Sequence, residues 1–303
     1  MKSHRMEGTQ MPEEQTTVGV IGLGSMGLGM AQTLAARGFR TLGFDLSAER
    51  RTLAEGAGIA PQPTIGELIA TSDFLVFSLP TAQDVLSVVE GHLELFRAKS
   101  GRRVIIIDTS TSEPDVSRDL AGRLALLGHG FLDAPVSGGP AGAASGKLTM
   151  MIGGTEEDLA LARPVIEAMA AKALHVGPSG AGNVAKLVNN LLAAAHMITT
   201  GEGLKLALAA GIDPEAALRV VNAASGRSMI SEVHFPTWVM SDRFDSGFSM
   251  GLMRKDVRLA KKLADSTGTH LPLSEQVASL WASSSDLADS DDFTRMGAFK
   301  QTN

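Results

Sequence analysis

The chain has 303 residues, enough for two domains, and its 44% apolar content suits a globular protein in water. A formal charge of −6, with Lys and Arg scattered rather than clustered, excludes a basic nucleic-acid-binding face. The absence of cysteine excludes disulfides, thiol nucleophiles and thiolate metal sites and fits a reducing compartment, and a cytoplasmic location is expected; no metal site is expected either. Residues 1–16 are polar and charged with no apolar run, which reads as a disordered tail and not a secretory signal. The longest apolar stretch, 191–210, is interrupted by His196, Glu202 and Lys205, so it reads as a core helix; no membrane contact is expected.

The apolar run 17–23 leads into Gly22-Leu23-Gly24-Ser25-Met26-Gly27, and a helical pattern follows, with Met30, Leu34 and Ala35 on one side and Gly38 past its end. This is G-x-G-x-x-G with a strand before it and a helix after it. Gly22 permits a tight turn, Gly24 lets the backbone approach a pyrophosphate, and Gly27 allows close packing of helix on strand. Glycine turns are also purely structural devices. Here a second strand, 40–44, ends in Asp45, near the spacing at which an acid meets a ribose diol, and the pair favours dinucleotide binding. A carboxylate there repels a 2′-phosphate, so NAD is expected over NADP. Arg40, Arg50 and Arg51 lie nearby and would soften that preference if one swung in.

The α/β alternation continues with helices over 47–56 and 64–71, a strand over 73–79, a helix over 81–89, a strand over 103–107 and a helix over 114–127. Leu79-Pro80 and Thr111 follow strand ends, where open α/β sheets bind ligands; Ser110 and Ser112 read equally well as helix caps. The segment 131–149 is rich in Gly, Ala and Ser and holds Ser137-Gly138-Gly139. Its backbone amides suit close approach to a small anion, with a flexible linker as the alternative; the flanking strands and Pro135 favour an ordered loop. A strand over 147–152, a helix over 156–170 and a short strand over 173–176 lead to Gly177-Pro178-Ser179-Gly180. That turn is the expected boundary between domains 17–179 and 180–303.

Gly180-Ala-Gly-Asn-Val-Ala-Lys-Leu-Val-Asn-Asn190 opens a long helix reaching about residue 210. Asn183, Lys186 and Asn190, spaced i, i+3, i+7, share one face. The helix beyond them is apolar on nearly every side, which predicts burial. A lysine buried there needs a function, since an unpaired ammonium is costly; the alternative is a lysine snorkelling to the surface. Helices follow from Asp213-Pro214, over 229–240 with a break at Pro236, over 250–266 and over 272–288. Residues from 292 onward show no pattern.

Four stretches together resemble the β-hydroxyacid dehydrogenase family: Gly22 to Gly27, the loop from Asp133 to Thr149, Gly180 to Asn190, and Lys255-Asp256-Val257-Arg258-Leu259-Ala260. The resemblance implies an α/β fold with an N-terminal Rossmann-type dinucleotide-binding domain, a long interdomain helix and an all-α C-terminal domain, the active site lying in the cleft between them. It implies hydride transfer between NAD and a small β-hydroxy acid or semialdehyde resembling 3-hydroxyisobutyrate. By motif, Lys186 is the general acid/base and Asn190 stands beside it. Ser137, Gly138 and Gly139 hold the substrate carboxylate. Thr111 and Lys255 contact the cofactor, Lys255 on the resemblance alone. A homo-oligomer, dimer or tetramer, is expected, and the segment Ser225-Gly226-Arg227-Ser228 to Trp238 is expected to wall the side pocket. There Arg227 and His234 either recognise a second anion or are solvated surface residues. An imine reductase and a non-catalytic cofactor-binding relative are the competing readings; Lys186 and Asp45 oppose the first, Lys186 and the Ser137 loop the second.

Overall fold

The computed structural model describes residues 15–99 and 102–299, and every structural statement below concerns those residues. Most of the tail expected over residues 1–16 therefore lies outside them; of its last two residues, Gln15 donates its side-chain amide to Gly38 O (2.7 Å). The first half of the chain alternates strand and helix: β1 (Thr17–Ile21), α1 (Ser25–Ala36), β2 (Arg40–Phe44), α2 (Ala48–Gly56), β3 (Ala60–Pro61), α3 (Ile65–Thr71) and β4 (Phe74–Phe77). It continues with α4 (Ala82–Gly91), α5 (Leu93–Ala98), β5 (Ile105–Asp108), α6 (Pro114–Leu126) and β6 (Gly130–Asp133). These six strands pair in parallel in the order β3-β2-β1-β4-β5-β6. Helices cover both faces, which is why β5 and β6 are buried at every position and carry no charge before the aspartate that closes each. Two apolar clusters form, one about Val20, Leu34 and Ile107, the other about Ile21, Leu75 and Ile106.

Beyond β6 the small-residue segment is ordered, as expected, but it carries two elements of its own: β7 (Val136–Ser137) and α7 (Gly139–Ser145). Next come β8 (Leu148–Gly153), antiparallel to β6 and β7, then α8 (Glu156–Met169) and β9 (Ala170–Gly177), parallel to β8. The last strand runs eight residues where four were expected, because it pairs along the whole of β8.

The second half is helical: α9 (Ala181–Ala209), α10 (Pro214–Ala223), a π-helical segment Ile230–Val239, α11 (Met250–Ser266), α12 (Pro272–Ser283) and a 3₁₀ turn Phe293–Gly297. Met197, Phe235, Met253 and Trp281 centre its core. Three expectations are corrected here. Pro236 does not break its helix, because the wider π turn, closed by Met240 N donating to Phe235 O (2.9 Å), accommodates it. The helix expected over 272–288 stops at Ser283, where the Arg254 guanidinium donates to the carbonyls of Trp281, Ser284 and Leu287. Residues 292–299 are structured, with Phe293, Thr294 and Phe299 buried. A fourth expectation fails in part: α9 is not buried all round, since Val188, Leu192, Leu206 and Leu208 are exposed.

Candidate active site

The glycine turn lies at the carboxyl ends of β1 and β4, where the strand order reverses direction. Gly22 has φ +91°, and a Cβ there would stand 2.3 Å from Ser78 O; a Cβ on Gly27 would stand 1.8 Å from Gly22 O. Both glycines are required by the fold itself. Gly24 differs, because a Cβ on it would meet nothing within 4 Å. It is the N-cap of α1, with no side-chain cap and no acidic residue in the first turn. The space beside Gly24 is therefore open at the positive end of the helix dipole, which fits a pyrophosphate. Asp45 closes β2 and accepts from Leu23 N (2.7 Å) and Ser47 N (2.8 Å), so its carboxylate is fixed beside the turn. Arg51 is committed to the carbonyls of Asp45 (2.5 Å) and Leu46 (3.1 Å).

Helix α9 is seated on the same carboxyl edge of the sheet, farther along the strand order, by Asp133, the last residue of β6. Its two carboxylate oxygens accept from Gly180 N (2.7 Å) and Asn183 N (2.9 Å). Gly182 completes the seat: a Cβ on it would lie 2.3 Å from Asp133 O and 2.4 Å from Met151 O. The Asn183 carboxamide accepts from Ser112 N (2.9 Å) and donates to Ser117 Oγ (3.0 Å), tying the loop after β5 to the helix. Ser110 and Ser112 thus do not cap α6; the Ser110 hydroxyl instead accepts from Leu79 N (3.0 Å). The loops carrying Leu79-Pro80 and Thr111 are locked together at the carboxyl edge. Beneath them Asp108 is wholly buried, and burial raises its carboxyl to about 7 despite the hydroxyl and amide of Ser110.

One turn into α9, Lys186 is only 7% exposed, which rejects the snorkelling alternative. Burial pushes its ammonium below the usual lysine range, with the charge of Asp256 pulling the other way and that of Lys255 adding to the fall. Across the cleft, α11 brings Lys255 and Asp256. The Lys255 ammonium donates to Pro80 O and Thr111 O (both 3.1 Å), so it spans the two cofactor-edge loops. The sequence motifs alone do not mark Asp256 as a site residue. Its Oδ2 accepts from Asn190 Nδ2 (2.6 Å), and its Oδ1 lies 3.5 Å from Lys255 Nζ but has no hydrogen-bond partner among the described residues. Burial raises its carboxyl, the two lysines opposing. A signal was available: Met253, Asp256, Val257 and Ala260 fall on one helical stripe and all are buried, so an acid sits where the pattern demands an apolar residue. Lys186, Asn190, Lys255 and Asp256 therefore form one cluster between the helical region and the carboxyl edge of the sheet.

Ser137, at the end of β7, pairs with Thr149, and Gly138 (φ +126°) and Gly139 (φ +63°) hold backbone that disfavours side chains. The helical region leans on this loop: Ser246 O would be 3.8 Å from a Cβ on Gly139, and Gly247 abuts Pro140. Asp292 fixes the leaning segment by accepting from the Ser246 hydroxyl (2.7 Å) and Gly247 N (3.1 Å). The unpatterned end of the chain thus supports the wall of the cleft. The two expected side-pocket residues part company. Arg227 is exposed, its closest carboxylate being Glu232 at 3.9 Å. His234 packs its ring against Trp238 (5.0 Å) and Phe293 (5.5 Å), and burial lowers its proton affinity.

Comparison with known proteins gives two adjoining family matches. Residues 17–177 match the NAD binding domain of 6-phosphogluconate dehydrogenase, and residues 180–298 match the NAD-binding family of NADP-dependent 3-hydroxyisobutyrate dehydrogenase. The mitochondrial 3-hydroxyisobutyrate dehydrogenase of Mus musculus is 35% identical over 265 residues, covering 86% of this chain and 79% of that one. The 2-(hydroxymethyl)glutarate dehydrogenase of Eubacterium barkeri is 33% identical over 270 residues, 89% of each. Among solved structures, the Mycobacterium tuberculosis 3-hydroxyisobutyrate dehydrogenase with L-serine superposes with a TM-score of 0.86 at 33% identity, covering 93% of this chain and 98% of that one. No helix among the described residues is long and apolar enough to cross a membrane.

Proposed function

The chain belongs to the β-hydroxyacid dehydrogenase family and is a hydroxyacid dehydrogenase, and from that premise we propose that Lys186 is its general acid/base, acting on a small β-hydroxy acid with NAD. The observation that carries the reading is a buried lysine with no hydrogen bond or ion pair among the described residues, in a cluster that reaches the cofactor edge through Lys255. The residues 17–179 form the cofactor domain and 180–303 the helical domain in this reading. Imine reduction and a purely cofactor-sensing role lose ground to it, because the Mus musculus and Eubacterium barkeri relatives, at 35% and 33% identity, are hydroxyacid dehydrogenases.

In oxidation, neutral Lys186 takes the proton of the substrate hydroxyl as the carbinol hydride leaves; burial supports this by lowering the lysine towards neutral pH. In reduction, the ammonium returns the proton to the carbonyl oxygen and stabilises the developing alkoxide on the way. The nicotinamide supplies the hydride chemistry when bound. Asn190, fixed by Asp256, holds substrate or lysine in place, while Ser137 and the amides of Gly138 and Gly139 take the substrate's carboxylate. Gly22 to Gly27 and Asp45 hold the dinucleotide, with Leu79, Pro80, Thr111 and Lys255 along its edge. Asp45, beside the turn, favours NAD over NADP; the commitment of Arg51 to two carbonyls removes one cation from a 2′-phosphate. The exposed apolar residues of α9 support a homo-oligomer in which a second copy covers them.

Substrates named for the relatives, 3-hydroxyisobutyrate and 2-(hydroxymethyl)glutarate, define the class to try, together with 3-hydroxypropionate, glycerate, serine, threonate and their uncharged alcohols. The deciding experiment is Lys186→Ala with the best of these. It is expected to lower kcat by about a thousandfold or more while NADH affinity, read by fluorescence, stays within about twofold. Turnover within about tenfold of the parent would make the lysine structural and end the proposal.

A further inference from the structure

The glycine loop is not held by its own neighbours alone; its support comes from the cofactor helix. Helix α7, which continues the loop, ends at Gly146 in a left-handed conformation (φ +66°). In a continuing helix Lys147 N would serve Ala143 O, but here it donates to Gly142 O (2.9 Å). The Ala143 carbonyl takes a donor from elsewhere, the hydroxyl of Thr33 on α1 (2.8 Å, buried). One turn earlier on α1, Gly29 lets the two backbones touch: a Cβ on it would stand 2.9 Å from Ala144 N. A Cβ on Gly146 would in turn stand 3.1 Å from the Thr33 methyl. The two helices are thus clamped by one hydrogen bond, a backbone contact at Gly29 that leaves no room for a side chain, and a close approach at Gly146.

We propose that Thr33 is a positioning residue for the substrate's anionic end, coupling the glycine turn that takes the cofactor's pyrophosphate to the Ser137-Gly139 loop that takes the substrate's carboxylate. This rests on the reading of that loop given above. Only Pro140, Ala141 and Gly142 lie between Gly139 and Ala143, so a shift at the clamp is carried to the loop with little slack. Thr33 touches neither ligand. Its effect falls on substrate affinity, while the first turn of α1, two turns away, keeps its own geometry.

The test is Thr33→Val, which replaces the hydroxyl by a methyl of like size, beside Thr33→Ser, which keeps the donor. With the hydroxy acid of highest kcat/KM in the panel, Thr33→Val is expected to raise KM about tenfold. In the same variant kcat should change by less than about threefold and the NADH Kd by less than about twofold, and Thr33→Ser should restore KM to near the parent value. An unchanged KM overturns the proposal, as does a rise in NADH Kd as large as the rise in KM, which would mark simple support of the cofactor helix. If Thr33→Val lacks a cooperative thermal transition, Thr33→Ala replaces it, removing the hydroxyl without adding bulk, with the same split between KM and NADH Kd expected and an equal loss of both overturning it. Ser137→Ala run in parallel separates the two claims. Should it leave KM unchanged, the anion-loop reading falls; should it raise KM while Thr33→Val does not, only the coupling falls.

Discussion

Two helices begin on the same sheet, and their first turns are used in opposite ways. At α1 the N-cap is Gly24, no side chain caps the turn, and the space before it is open. At α9 the first amides are already taken, since both oxygens of the Asp133 carboxylate accept from Gly180 and Asn183. A helix start left uncapped is available to a ligand, whereas one filled by a buried carboxylate is a mechanical joint. The first turn serves binding; the second sets where Lys186 stands. Breaking each should therefore produce different losses.

The largest effect is expected at the joint. Asp133→Ala leaves two buried amides without acceptors, at a cost of about 5 kcal/mol in stability. Because Lys186 lies one turn further along α9, kcat should fall as well, while NADH affinity stays near the parent value. Denaturant unfolding, kcat and an NADH titration on the same preparation decide it; a variant that loses cofactor affinity but keeps kcat would reverse the assignment of the two turns.

How far the sequence reveals this contrast depends on the range of the contacts. The turn at Gly22 to Gly27 is legible because its logic is local: three glycines at fixed spacing between an apolar run and a helical one. The Lys186 helix is legible because a lysine interrupts an apolar pattern. The Asp133 joint is not, since its partners lie 47 and 50 residues away and share no periodicity with it. Asp256 was within reach, being an acid on an apolar stripe, yet a charged neighbour at Lys255 masks it as ordinary surface. The π-helical course through Pro236 has no sequence signature, and the rule that proline breaks a helix misleads there. For α9 the apolar pattern predicts burial on every side, yet Val188 and Leu192 are exposed, because periodicity alone does not tell which apolar face the fold covers.

A second prediction uses pH to expose the charges around the joint. Asp108 pairs in register with Asp133 across β5 and β6, and burial raises its carboxyl to about 7. The folded chain thus keeps a proton that the unfolded chain releases near its ordinary value of 3.8. With more protons bound in the folded state, stability must fall as pH rises from about 4 to about 7, and level off above. The full swing for such a group is about 4 kcal/mol as a ceiling. Asp108→Asn keeps the acceptor for Ser110 N and removes the titration. The stability difference between variant and parent should therefore move in favour of the variant across that range. Asp133, also raised by burial, contributes a fall of the same sign in both proteins and cancels in the difference. A pH-independent difference would show that Asp108 is ionised in the folded chain throughout.

The smallest effect, and the one that isolates the binding turn, is expected at Gly24. Its φ of −61° is ordinary for any residue, and a Cβ there meets nothing within 4 Å, so the protein alone has no need of glycine at this position. Gly24→Ala should leave stability within about 1 kcal/mol of the parent, with the loss of unfolded-chain freedom tending to raise it. A bound pyrophosphate does need the space, so NADH affinity should weaken about tenfold or more, with kcat at saturating cofactor much less affected. Its neighbours give the control within the same motif. Gly22→Ala places a Cβ 2.3 Å from Ser78 O at a φ of +91°, and Gly27→Ala places one 1.8 Å from Gly22 O. Both should lose stability before cofactor is added, because the clash is with the protein's own backbone. If Gly24→Ala instead binds NADH within about twofold of the parent, the open space before α1 is not where the pyrophosphate lies, and the contrast between the two helix starts loses its functional half.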